Sequence, residues 1–407
     1  MKVAILTQYF PPEPIARLSA LVRRLLADGH TVEVLTALPN RPAGRYYPGY
    51  HRTLVMEEQV MDVRVVRTYV WPYIGNVLWK RLLNYGSFML SAVWGGQRLS
   101  RFDVLYVYHP PLTISFPAFL ISRLRHKPFV YDVQDVWPEA GLAAGAVKPG
   151  FIYRSISRWA RWAYTRAANL IVLAPEFVPF LTKAGVPLGK IKIIPNWADE
   201  AIYYPAQASD GRATLGIAGH QFVVMYAGNM GSTHGVDTIL EAARLLENRA
   251  DIVFVFVGTG PEYERLTRLR DTLSLNNVRF LGYVQPDGMP VFLAMADMLV
   301  VHLRRADSGA VSLPSRMMAY MASARPMLIA SDGAPRALVD RLSCGITCEP
   351  ENPRAMADAI EGITGEPERL RQMGLNGRQA YLDEFSEEKN VRRLIELLEE
   401  SSETGRE

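Results

Sequence analysis

The 407-residue sequence has only two cysteines, Cys344 and Cys348. No disulfide framework organises it, and a metal site would need ligands from elsewhere. It has no Asp-x-Asp pair, the simplest way to hold a divalent cation on a diphosphate, so a bound diphosphate would have to be met by positive groups and helix dipoles. No Gly-x-Ser-x-Gly elbow, P-loop or G-x-G-x-x-G fingerprint occurs, which leaves serine-hydrolase, P-loop and nicotinamide-dinucleotide readings without support. No apolar run reaches the roughly 20 residues of a spanning helix. The opening "MKVAIL" is a charge followed by a short strand, with no cleavage-type small-residue site, so the expectation is a protein kept in the cytoplasm.

What is present describes an ordinary globular chain, 49% hydrophobic and 21% charged, of a length that suggests two domains of roughly 200 residues. The net charge of +4 is unevenly spread, because residues 63–131 hold nine basic residues against one acid, Asp103. Inside that segment the sixteen residues 82–97 carry no charge and are flanked by Trp79-Lys80-Arg81 and by Arg98. The stretch is short and contains Asn84 and three glycines, so a surface or interfacial helix is expected rather than a spanning one. Basic flanks with tryptophans suit an anionic bilayer surface; a buried helix under a basic rim is the alternative. In residues 151–167, Arg154, Arg158 and Arg161 share one helical face beside Tyr153, Trp159 and Trp162, facing phosphates, lipid head groups or plain solvent. No nucleic-acid-binding motif accompanies these patches.

Strands and helices alternate along the chain. "KVAIL" and "TVEVLT" flank the helical "LSALVRRLLADGH" as a βαβ unit, and residues 103–108, 128–133, 169–174 and 191–196 continue as buried parallel strands. Periodicity breaks at "PNWADEAIYYPAQASDGRA" and restarts with strands at 222–227, 252–257, "VRFLG", "MLVVHL" and 327–330, with helices at 236–246, after "GTGPEYE" and at 314–321. The expected division is 1–198, 199–380 and a terminal segment 381–407 whose helix near 387–398 packs back toward the first domain. Two doubly wound α/β halves place ligands at the carboxyl ends of their strands, facing a cleft.

Four stretches carry chemistry. In "SGAVSLPSRMMAY" a loop containing Ser308 leads through Leu313 and Pro314 to a helix start with Ser315 and Arg316, where free N–H groups, a partial positive charge and a guanidinium suit a diphosphate. "YAGNMGSTHG" and "VGTGPEYE" put Gly228, Asn229, Gly231, Gly258 and Gly260 just after strands, allowing a ligand close to backbone amides; His234 either reaches a phosphate or is solvated. "VYDVQDVWPEAG" holds Asp132, Asp135 and Glu139 with Trp137 between the last two, suited to hydroxyl binding or general-base work, or to helix capping. His109, in "YVYHPPL", is similarly placed after a strand.

Taken together, "DVQDVWPEA", "IPNWAD", "YAGNMG", "GTGPEYERL", "LPSRMMAYMASARP" and "MGLNGRQAYLDEFS" resemble glycosyltransferase family 4 over nearly the whole chain. More narrowly, they resemble the bacterial branch that builds O-antigen, capsule or colanic-acid-type polysaccharides, including N-acetyl-fucosaminyl transferases. The resemblance implies the GT-B fold and retaining transfer from a nucleotide sugar with neither metal nor other cofactor. It implies donor binding by the second domain, through Arg316, Ser315, Pro314, Leu313, Ser308, Gly228, Asn229 and Gly260, and acceptor binding by the first, through Trp137 and Glu139. Asp135, Glu13 and His109 are the catalytic candidates. Departures from the family pattern are Ala319 in place of the ribose-binding glutamate, Val311 eight residues earlier, Arg316 for lysine, Gln134-Asp135 for His-Asp, and Asn229 and His234 for arginine and lysine. The turn "YFPPEPIARL" lacks the Gly-Gly pair of many members; its prolines are expected to hold Glu13 toward a sugar hydroxyl and Arg17 toward the donor phosphates, or else the two charges brace the turn. The leading expectation is transfer from a UDP-sugar to a polyprenyl-diphosphate-linked saccharide by an enzyme peripheral to the inner membrane face, docked through residues 79–101 and 151–166. The alternatives are a sugar-nucleotide epimerase of the same fold and a non-catalytic lipid- or glycan-binding protein.

Overall fold

Short runs of β-branched and aromatic residues, such as "FVVMYA" at Phe222–Ala227, are buried at every position and therefore form interior parallel strands covered on both faces. The computed structural model describes all residues except 14, 76, 140, 142–149, 208–210, 306–312 and 405–407. The chain divides into two units, Met1–Pro195 with Glu388–Glu407, and Asn196–Glu387; the sequence reading set its boundaries after residues 198 and 380.

The first unit runs β1 (Lys2–Thr7), α1 (Ala16–Ala27), β2 (Thr31–Ala37), β3 (Val55–Val60), β4 (Val63–Thr68), α2 (Leu78–Gly95), β5 (Val104–Tyr108), α3 (Ser115–Arg125), β6 (Phe129–Val133), α4 (Phe151–Arg166), β7 (Asn169–Val172), α5 (Val178–Lys183) and β8 (Ile191–Ile193). Its sheet order is β3-β4-β2-β1-β5-β6-β7-β8, parallel except for β3, which is antiparallel to β4. The C-terminal helix, Glu387–Thr404, packs with this unit: Asn169 Nδ2 donates to Ser401 Oγ at 3.0 Å and Arg393 donates to the Ile193 carbonyl at 3.0 Å.

The β3–β4 hairpin is absent from the sequence expectation. Its turn, Met61-Asp62, has positive φ at both residues, 54° and 61°, a conformation usually signalled by Asn-Gly. Its inner strand also carries Arg67, which is 0% exposed, pairs with Glu58 and donates to the Pro11 and Ala37 carbonyls. A buried arginine disguises a core strand as a surface one.

Helix α2 lies with Asn84, Phe88, Ala92 and Gly95 inward. A Cβ at Gly95 would meet Thr68 Cγ2 at 2.4 Å, and one at Gly96 would meet Ile121 Cγ1 at 2.5 Å. These glycines let the helix approach the sheet and α3 closely. Its other side leaves Trp79, Leu82, Leu83, Leu90 and Trp94 between 44% and 64% exposed. Among the described residues no helix is long and apolar enough to cross a membrane.

The second unit runs β9 (Phe222–Ala227), α6 (Val236–Leu245), β10 (Ile252–Val257), α7 (Tyr263–Thr272), β11 (Val278–Gly282), α8 (Met289–Met295), β12 (Met298–His302), α9 (Ser315–Ala322), β13 (Met327–Ala330), α10 (Ala334–Leu342), β14 (Gly345–Cys348), α11 (Pro353–Ile363) and α12 (Pro367–Ala380). All neighbours in the order β11-β10-β9-β12-β13-β14 are parallel. Strand order reverses between β9 and β12, and such a switch point opens a crevice at the strands' carboxyl ends. Strand β14 was not expected: its four residues begin at Gly345, where a Cβ would lie 2.0 Å from the Met327 carbonyl oxygen.

Candidate active site

Arg316 and Tyr320 stand four residues apart on α9 and therefore share a face. Tyr320 Oη donates to the Ala227 carbonyl at 2.8 Å and accepts from the Ala227 N–H at 3.1 Å, fixing α9 against the end of β9. One turn earlier, the Arg316 guanidinium lies 4.8 Å from the Tyr226 ring centroid. A Cβ on Gly228 would sit 3.3 Å from Arg316 Cζ, and Gly228 has φ +148°, so this position admits the arginine because it is glycine. Arg316 Nη1 is buried with no hydrogen-bond partner among the described residues. The α9 N-cap, Pro314, supplies no capping side chain; Leu313 and Pro314 are half-buried and Ser315 is exposed. The site thus gathers a buried guanidinium nitrogen and a helix start bearing partial positive charge at the switch point, an arrangement complementary to an anion.

The other glycines of this region have a different role from the one expected. Gly258 (φ +121°) and Gly260 (φ +155°) face backbone: Cβ atoms there would lie 2.1 Å from the Gly228 oxygen and 2.6 Å from the Met230 oxygen. They let the loops after β9 and β10 lie against each other, with Met230 N–H donating to the Thr259 carbonyl at 2.8 Å. Asn229 is exposed, its Oδ1 beside Gly260. Ser308 and Val311 lie outside the described residues.

In the first unit, Arg17 does not turn to a phosphate. It is 6% exposed and donates through Nε to Asp132 Oδ2 at 2.8 Å and through Nη1 to the Pro195 carbonyl at 3.0 Å. Asp132 also accepts from Tyr106 Oη and, at 2.6 Å, from Gln134 Nε2. Glu13, 2% exposed, accepts from the N–H groups of Phe10, Asn40 and Arg41 at 3.3, 3.0 and 2.9 Å; burial raises its pKa against the pull of those bonds. Each charge has its own partners: Glu13 ties the turn at Phe10 to Asn40 and Arg41, and Arg17 ties α1 to the end of β6 and to Pro195. His109 is 0% exposed, with both ring nitrogens unpartnered among the described residues; desolvation holds its pKa down at about 3. It packs edge-on against Tyr131 at 5.8 Å and is a buried side chain of the first unit's core.

Asp135 contrasts with these. It follows β6, is half-buried, has no hydrogen-bond partner among the described residues and has its pKa raised by burial. A desolvated, uncommitted carboxyl at a strand's carboxyl end suits acceptance of a hydroxyl proton. Trp137 follows, its backbone N–H donating to Tyr164 Oη at 3.1 Å, and Glu139 accepts from Tyr153 Oη at 3.4 Å.

Two family models match this chain, "Glycosyl transferase 4-like domain" over residues 14–197 and "Glycosyl transferases group 1" over residues 209–380, between them most of its length. The chain is a GT-B glycosyltransferase. The transferase is 28% identical over 313 residues to the putative colanic acid biosynthesis glycosyl transferase WcaI of Escherichia coli, covering 74% of this chain and 75% of that one. It is 26% identical over 256 residues to the probable glycosyltransferase WbjE of Pseudomonas aeruginosa, covering 62% of this chain and 63% of that protein, just under two thirds of its length. Among solved structures, HepE of Anabaena in complex with UDP and glucose superposes with a TM-score of 0.72 at 17% identity, over 98% of this chain and 99% of that one. At that identity the likeness speaks for the fold.

Proposed function

We propose that the transferase moves a sugar from a UDP-sugar to a polyprenyl-diphosphate-linked saccharide during assembly of a bacterial surface polysaccharide, with retention at the anomeric carbon and without a metal. The observation that carries this reading is Arg316, whose buried Nη1 has no partner among the described residues. Leaving such a group unpaired is costly, and a donor diphosphate would complete it. As the sugar departs, negative charge grows on the phosphate, and a fixed guanidinium and helix start stabilise it without reorganising. Asp135 would orient the acceptor hydroxyl. The UDP bound by HepE and the colanic-acid role in WcaI's name support the donor and the product class.

Helix α2 supports a membrane-held acceptor. Its exposed Trp79, Leu82, Leu83, Leu90 and Trp94 recur at helical spacing along one stripe, with Lys80 and Arg81 beside them. Basic residues flanking interfacial tryptophans suit anionic lipid, which makes the enzyme peripheral at the inner membrane face.

Thermal stabilisation by a panel of nucleotide sugars tests the donor assignment. UDP-sugars are expected to raise Tm, and Arg316→Ala to weaken binding by tenfold or more with the fold intact. Failure of every nucleotide sugar to shift Tm would sink the proposal, and turnover of donor without any acceptor would mark an epimerase instead.

A further inference from the structure

Beyond the end of β6 the chain is held on both sides of Asp135. Before it, Gln134, 8% exposed, donates through Nε2 to Asp132 Oδ1 at 2.6 Å. After it, the Trp137 backbone N–H donates to Tyr164 Oη at 3.1 Å. Its neighbours in sequence are thus fixed, while the Asp135 carboxyl itself has no partner among the described residues.

The Asp132 end of this clamp is a buried ion pair. Arg17 Nε lies 2.8 Å from Asp132 Oδ2, with side-chain exposures of 5% and 0%, on an interior strand paired with β5 and β7. The same guanidinium donates to the Pro195 and Ile194 carbonyls at 3.0 and 3.4 Å, and Tyr106 Oη donates to Asp132. As a source of stability the pair is poorly placed. Desolvating two charges offsets much of their attraction, so apolar residues of similar volume would serve the core as well or better. Arg17 is also the second residue of α1, whose first turn has no acidic residue and whose N-cap makes no side-chain bond, so the cation meets the positive end of a helix dipole. What apolar side chains could not do is aim. The carboxylate gives Gln134 a fixed acceptor, and the guanidinium ties that carboxylate to α1 and to the exit of β8.

We propose that Arg17, Asp132 and Gln134 are positioning residues that fix the segment carrying Asp135, so that its carboxyl meets an acceptor hydroxyl in one orientation. This rests on the role given to Asp135 in the proposed function. The test uses the full-length protein with 13C-labelled aspartate carboxyls, the Asp135 signal being assigned through Asp135→Asn. Arg17→Met combined with Asp132→Leu removes both charges and leaves neither buried alone, so Tm should stay near wild type. Gln134→Ala cuts the link from Asp132 to the segment. In both variants water should reach the loosened segment. The Asp135 carboxyl, held above the usual carboxylate range by burial in the wild type, should titrate nearer its ordinary value of about 3.9. Amides 135–137 should exchange about tenfold faster, with those of β1 and β2 unchanged. Gln134→His, which keeps a ring N–H for Asp132, should restore part of both effects.

Calorimetry with UDP-glucose keeps the two readings apart, because its affinity should stay within about twofold of wild type in every variant. If the Asp135 titration and exchange at 135–137 match wild type in both variants, the positioning role is wrong although the proposed function stands. If exchange rises throughout the first unit and Gln134→His restores nothing, these residues serve the core alone and the inference is equally overturned. Should wild type bind neither UDP-glucose nor any other nucleotide sugar, the proposed function falls and takes this inference with it.

Discussion

At Gly228 a methyl group would enter space held by the Arg316 guanidinium, and the backbone φ of +148° is one that L side chains rarely adopt. Gly228→Ala is therefore expected to cost about 1–3 kcal/mol of stability and to weaken UDP binding, measurable by urea denaturation and calorimetry. His109 makes a different prediction. Its pKa rests at about 3 when folded against about 6.5 unfolded, so between those values the unfolded chain binds a proton that the folded chain excludes. The stability it contributes is complete above about pH 6.5 and is lost as pH falls toward 3, at roughly 1.4 kcal/mol per pH unit for this one group. Denaturant melts between pH 7 and 4 should show the decline, with a shallower slope in His109→Leu; an unchanged slope would mean His109 is not the buried neutral group described. The sequence shows that His109, Glu13 and Arg17 follow strands, and that much is local information. It does not show which way the side chains turn, because the partners that draw Arg17 inward, Asp132 and the Pro195 carbonyl, are more than a hundred residues away. For Arg316 the helix start and the charge adjoin in "LPSR" and are visible in the sequence, whereas Gly228, which admits the guanidinium, comes from a distant loop.

The elements recovered from sequence are those whose pattern matches their environment: β1, β9 and β10 are largely apolar runs, β2 is a β-branched run interrupted by Glu33, and all four emerge where expected. The β3–β4 hairpin escaped because Arg67 reads as surface and Met61-Asp62 does not read as a tight turn. Removing that arginine should show its cost. Arg67→Met strips the partner from Glu58 and from two carbonyls, and a loss of about 3–5 kcal/mol in a guanidinium melt is expected. Helix α2 carries a prediction about location. With Trp79, Leu82 and Leu83 changed together to serine, binding to vesicles rich in phosphatidylglycerol should fall at least tenfold while the melting temperature stays near wild type; the exposed stripe supports no membrane role if vesicle binding persists.

For the molecule as a whole, alternation of strands and helices sufficed to expect two doubly wound halves, but the strand order that sets each switch point is tertiary information. In the second unit that order brings the loop after β9 beside the first turn of α9. Hydrogen exchange with saturating UDP should therefore protect amides of residues 228–235 and the first turn of α9, leaving β1 and β2 unchanged.

The C-terminal helix has a consequence for how the protein is made. Val391, Leu394 and Leu398 are each 1% exposed or less in a unit whose other residues end at Pro195. While a ribosome is still translating the second unit, the first has every strand of its sheet but not this covering helix. Its folding is completed only after residues 388–404 have emerged, so deleting this helix should damage the N-terminal half of the chain.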